Sequence, residues 1–80
     1  MTTTSFTGTI STSTYTDVET LTSLTLTEGK AYTIQVQNIA NLKIADAEFT
    51  LNNILLKLTK TSDDWYIKGN NAVLTILENV

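Results

Sequence analysis

The side chains able to do chemistry in this sequence are few. The carboxylates are Asp17, Glu19, Glu28, Asp46, Glu48, Asp63, Asp64 and Glu78, and the cations are Lys30, Lys43, Lys57, Lys60 and Lys68. There is no His, Cys or Arg. Ser or Thr nucleophiles would therefore need Lys or carboxylate help, and Cys/His metal sites are excluded. A glycosidase needs two carboxylates facing each other across a cleft, and a chain of 80 residues has little material to build one. Asp63-Asp64 offers hard oxygen ligands of the kind Ca²⁺ takes, but lacks the regular Asp-x-Asp-x-Asp-Gly loop. Two acids opening a polar turn explain it, as a solvated pair beside a strand explains Asp17 and Glu19. The expectation is a protein that is not an enzyme, with no catalytic residue, no cofactor and no metal.

The aromatic residues carry more information. Trp65 and Tyr66 are adjacent, so on a strand they point to opposite faces, one into the core and one outward. An outward aromatic can anchor a protein interface or stack on a sugar ring. The last run, Ala72 to Glu78, has apolar residues on both faces (Val73, Leu74, Ile76, Leu77), as in a strand that is central or covered by another chain. Trp65, Tyr66, Val73 and Leu77 are the candidate interface residues.

The elements that must position these residues read as strands. Around the turn Glu28-Gly29-Lys30, Leu24 to Leu26 and Ala31 to Gln37 suggest a hairpin. Tyr32, Ile34 and Val36 alternate with Thr33, Gln35 and Gln37, the period of a half-buried strand. Gly29 supplies the positive φ that short connections use. Seventeen residues are Thr, twelve of them before residue 28, and β-branched Thr favours strand over helix. Phe6 and Ile10 alternate with Thr7 and Thr9, Gly8 marking a bulge or a close backbone approach. Tyr15, Val18 and Leu21 are spaced for either a helix turn or an irregular strand.

Further along, turns are predicted at Asn38–Asn41, Asn52-Asn53, Thr61–Asp64 and Gly69-Asn70-Asn71, because Asn and Gly tolerate positive φ. They would separate Leu42–Ile44, Phe49–Leu51, Ile54–Thr59, Trp65–Lys68 and Ala72–Glu78, with Lys57 guarding an otherwise sticky strand against edge pairing. The predicted fold is all-β: a small antiparallel β-sandwich or barrel of about seven to eight short strands. Residues 1–5 read as a flexible polar leader and 6–80 as a single β domain.

Charge and hydropathy narrow the partners. The net charge is −3 and the lysines are scattered, so no nucleic acid partner is expected. The longest purely aliphatic run, Ile54-Leu55-Leu56, is far short of a membrane span, and the first residues lack the pattern of a signal peptide. The core of so short a chain is thin, and association with other copies is a usual remedy.

One resemblance goes further. Tyr15-Thr16-Asp17-Val18-Glu19-Thr20-Leu21, then Leu24-Thr25-Leu26, then Glu28-Gly29-Lys30-Ala31-Tyr32-Thr33-Ile34-Gln35, and later Asp64-Trp65-Tyr66-Ile67-Lys68, follow a recurring pattern. It resembles that of short β proteins of bacterial phages and prophages, of the tail, head-fibre or decoration type. About half of the chain is covered by these strand and turn signatures. The chain departs from the pattern in its middle, where such proteins often carry a Gly/Pro-rich insertion; it has no Pro. The resemblance implies a non-enzymatic virion structural module, made in the bacterial host cytoplasm and located in the virion. Its partner would be itself, as a homo-oligomer, or another virion protein. The alternative reading is a small carbohydrate-binding module for a cell-surface glycan, using an exposed aromatic near Asn70, Asn71 or Gln35.

Overall fold

The computed structural model describes residues 4–79. They form β1 (Ser5–Asp17), a one-turn helix α1 (Val18–Thr22), β2 (Ala31–Ile44), β3 (Ala47–Thr59) and β4 (Trp65–Glu78). The four strands make one sheet in the order β1-β4-β2-β3, every neighbouring pair antiparallel. The chain is all-β as expected, but with four long strands in one sheet rather than seven or eight short ones in a sandwich or barrel.

Most of the difference has one cause. Asn38, Asn53 and Asn71 do have positive φ, at 70°, 49° and 55°, but none of them reverses the chain. Each is a bulge inside a strand that continues beyond it. On β4 both flanks of Gly69-Asn70-Asn71 pair with the same neighbour: Gly69 lies opposite Ala40 and Val73 opposite Gln37. On β3, Asn52 lies opposite Ile39 and Ile54 opposite Val36. The register of β1 against β4 slips at the same level, between Ile10 and Thr12. Asparagines read as eight-strand punctuation are therefore the kinks of four strands.

These kinks form a polar line across the sheet. Ser11 Oγ donates to Asn71 Oδ1 at 3.1 Å and accepts from Asn71 N–H at 3.2 Å. Asn38 Nδ2 donates to Asn71 O at 2.9 Å, and Asn38 N–H donates to Asn53 Oδ1 at 2.9 Å. All four strands thus bend at one transverse line, and backbone groups freed by the bulges find side-chain partners.

The bend doubles the sheet over its inner face. Laid flat, Tyr32 and the Ile44 level where Trp65 pairs would lie about 40 Å apart at ~3.3 Å per residue. The Tyr32 and Trp65 rings instead meet edge-on, with centroids 6.0 Å apart. Residues from both sides of the kinks join one core: Ile34, Val36, Leu74 and Ile76 from one half, Leu42, Leu51, Trp65 and Ile67 from the other. Tyr32 is fully buried, and its Oη accepts from Thr27 N–H at 2.7 Å.

Beyond the sheet, α1 and residues 23–30 cap the open end of the core. Asp17 Oδ2 caps α1 by accepting from Thr20 N–H, and Val18 is buried. Gly29 has φ 91°, and the alternation from Tyr32 to Gln37 is present. Leu24–Leu26, expected as the first strand of a hairpin, is not one. Leu24 N–H donates to Thr22 Oγ1 and Leu26 N–H to Glu19 Oε2, so the helix takes the donors a strand partner would need, while Leu26 packs into the core. The true hairpin joins β2 to β3 through Ala45 (φ 53°) and Asp46, a turn that Ala does not advertise.

Of the expected leader, residues 1–3 lie outside the described residues. Thr4 O accepts from Glu78 N–H at 2.9 Å, and Ser5 already belongs to β1. At Gly8 the close approach is from its own strand, since a Cβ there would meet the Phe6 ring at 2.7 Å.

The kink is a backbone device as well as a hydrogen-bonding one, and the two are separable at Asn38. In urea unfolding, Asn38→Gly keeps the positive φ and the backbone N–H bond to Asn53, and is expected to lose about 1 kcal/mol with the side-chain bond to Asn71 O. Asn38→Val adds β-branched strain at that φ and should lose roughly 2–3 kcal/mol. Equal losses would show that the side-chain bonds alone set the bend.

Candidate functional site

The outer face of the sheet, turned away from the core, carries two neighbouring features, and the β3 edge adds a third. The first is an aromatic–cation cluster. Residues directly opposite on antiparallel strands share a face, which sets Lys43 of β2 beside Tyr66 of β4 and Glu48 of β3, and Lys68 beside Asn41. Tyr15 of β1 reaches over them: Lys68 Nζ is 4.6 Å and Lys43 Nζ 5.6 Å from its ring centroid. Tyr15 Oη donates to Glu48 Oε1 at 2.7 Å. That bond to a carboxylate, with desolvation and the negative charge of Glu48 added, raises the Tyr15 pKa above its ordinary 10.0.

Beside this cluster lies the second feature, an open groove of about 580 Å³ along the kink line. Thr12, Ser13, Asn41, Asn52, Lys68 and Asn70 are among its lining residues. Bulged strands splay their side chains, so the amides that bend the sheet also furnish the groove. Hydrogen bonds within the sheet engage Asn38, Asn53 and the Asn41 amide, while among the described residues the Asn70 side chain makes none.

The third feature is the β3 edge. β3 ends the sheet, and no fifth strand follows it among the described residues. Phe49 and Ile54, on the core side of the sheet, are 46% and 42% exposed, and Leu55 on the outer side is 62% exposed. Leu56 and Leu58 are only half buried. A 13-residue strand with exposed apolar residues on both faces, no Pro, and Lys57 as the cation of its second half is poorly defended against pairing.

Of the four interface candidates, Trp65 is removed: at 2% exposure it is a core residue whose ring closes the doubled sheet against Tyr32. Tyr66 and Leu77 are exposed and Val73 half buried, and the register sets all three on the outer face of β4, a central strand. The structure brings Tyr66 together with Lys43, and it does not unite the four into one patch. The β3 residues Phe49, Ile54 and Leu55 were missed, because alternation reveals which residues share a face but not which strand ends the sheet.

Carboxylates do converge at one place. Oxygens of Asp17, Glu19 and Asp64 lie within 4.8 Å of one another. These are the groups that could hold a hard cation, yet Asp17 already caps α1 and Glu19 already accepts from Leu26 N–H. The carbonyls of Thr61 and Asp63, which a Ca²⁺ loop would direct at the ion, instead accept from the buried Lys60 Nζ at 2.7 and 2.8 Å.

Comparison of the sequence with protein-family models, and of the chain with curated proteins and solved structures, returned no match.

Because Glu48 is the main cause of the raised Tyr15 pKa, the folded state holds the phenol proton more tightly than the unfolded chain. The stabilisation is full below about pH 10 and is lost as pH rises through the folded value. In an NMR titration the Tyr15 ring should titrate above 10.0, and Glu48→Gln should bring it back down. A wild-type Tyr15 that titrates at or below its ordinary value would contradict the Tyr15–Glu48 bond.

Proposed function

We propose that this chain is a non-enzymatic structural module of the virion-associated kind its strand and turn signatures resemble, acting by protein–protein assembly. In this reading it is made in the bacterial host cytoplasm and works as part of a phage or prophage particle, in a decoration, head-fibre or tail position. The observation that carries the assembly step is the β3 edge, unpaired among the described residues, with Phe49, Ile54 and Leu55 exposed. Covering apolar surface contributes about 25 cal/mol per Å², and stable interfaces bury on the order of 1,200–2,000 Å² in total. An apolar edge lets a partner add backbone hydrogen bonds to that burial. The doubled sheet supports the same reading, since it leaves exposed apolar side chains of β3 at its margin.

A second reading, a carbohydrate-binding module, draws on the groove. Amides and hydroxyls around a cavity of about 580 Å³ suit a polyhydroxylated ligand. Trp65 offers no stacking platform to it, being buried, and the Tyr15 ring lies 4.6 Å from Nζ of the lining residue Lys68.

Analytical ultracentrifugation of the wild-type chain at high micromolar concentration should show a species larger than the monomer. Leu55→Ser, which leaves the core untouched, should shift it toward monomer. A wild-type chain that sediments only as monomer would count against assembly with itself. For the second reading, a glycan array should give a hit that Asn70→Ala abolishes; an array without hits would remove it.

A further inference from the structure

Resting on the assembly reading, we propose that the partner at β3 is a second copy of this chain, paired antiparallel through β3 about a two-fold axis at Asn52-Asn53. The two copies then share one continuous eight-stranded sheet.

The strand is self-complementary in this register. Residues equally far from the Asn52–Asn53 midpoint face each other across the axis. Glu48 meets Lys57 of the second copy, Thr50 meets Leu55, Leu51 meets Ile54 and Phe49 meets Leu56. In a two-fold contact each pair occurs twice. Paired residues must also share a face of the sheet, and they do. Phe49, Leu51, Ile54 and Leu56 lie opposite Leu42, Ala40, Val36 and Ile34 on the core side. Glu48, Thr50, Leu55 and Lys57 lie opposite Lys43, Asn41, Gln35 and Thr33 on the outer side. This match depends on the bulge at Asn53. In a strand without it, residues at odd and even positions would fall on opposite faces, and every one of these pairs would be mismatched.

The charges choose the register. Lys57 guards β3 against indiscriminate pairing, because Glu48 is the one acid within the strand and other slips set Lys57 against Ala47, Phe49, Thr50, Leu51 or Asn52. In the proposed register alone its counterpart is Glu48, already placed on the outer face by its bond from Tyr15. The kinks choose it too. The bend line runs from Ser11 through Asn71 and Asn38 to Asn53 and stops at the open edge. A two-fold axis at that point continues the line into the second copy, so two bent sheets join without a change of curvature. The opposite edge, β1, offers mostly Ser and Thr, and its carboxylate Asp17 is engaged as the helix cap, so it has no counterpart for Lys57.

The chain has no Cys, so single-cysteine variants report contacts cleanly. Thr50→Cys and Leu55→Cys, mixed under mild oxidation, should give a disulfide-linked heterodimer in high yield, and each variant alone should not. Separately, Lys57→Glu or Glu48→Lys should raise the dimer Kd about tenfold or more, and the double variant should recover most of the loss. The cysteine pair keeps both charges, so it decides even where a charge variant fails to fold. Self-association that persists with no heterodimer disulfide would place assembly on another surface, overturning this inference while leaving the assembly reading. A chain monomeric at high micromolar concentration would overturn both.

Discussion

A short connection governs this fold. β3 ends at Thr59, opposite Ala31 at one end of β2, and β4 begins at Trp65, opposite Ile44 at the other end. In a flat sheet those ends would lie about 43 Å apart, yet the chain from Thr59 to Trp65 spans at most ~22 Å. The sheet must double over for the chain to close this gap, and the longest dimension of the molecule, 33 Å, is shorter than a straight 14-residue strand. Bending four strands breaks ladder hydrogen bonds at every crossing. The line of Ser11, Asn71, Asn38 and Asn53 replaces them, and the Tyr32–Trp65 contact closes the two halves on each other.

Asparagine suits this line because its short amide makes positive φ tolerable and then bonds to a neighbouring strand. That versatility also explains what the sequence conceals. Positive φ at Asn53 is the same local event in a two-residue hairpin and in a bulge, and only the partner strand distinguishes them. The polarity and spacing of Asn38, Asn53 and Asn71 mark where the backbone departs from regular strand. They do not say whether the chain turns back. Within each half strand the periodicity was readable: Tyr32, Ile34 and Val36 face the core, and the Trp65-Tyr66 pair divides between inside and outside. The β2–β3 turn left no such mark, since its positive-φ residue is Ala45.

The outer face was less legible than the core. Tyr15, Lys43, Lys68 and Glu48 are scattered over more than fifty positions and meet only because β1, β4, β2 and β3 lie side by side in that order. The apolar residues of β3 were visible, but their exposure follows from strand order, which is a long-range property. A two-sided strand such as β4 proved to be central, while the strand with the less regular pattern became the edge. One sheet doubled over, instead of two sheets or a closed barrel, leaves two margins. The β1 margin is rich in Ser and Thr, and the β3 margin is apolar with one acid and one lysine placed symmetrically about its kink. That asymmetry is what the proposal of assembly through β3 rests on.

The central claim, that four strands run through their kinks and double the sheet, is tested most directly by nuclear Overhauser contacts in solution. The account predicts contacts between the Tyr32 and Trp65 rings, together with cross-strand contacts of Ala40 with Gly69 and of Gln37 with Val73. Hairpin contacts of Lys68 with Ala72, with the two rings far apart, would contradict it.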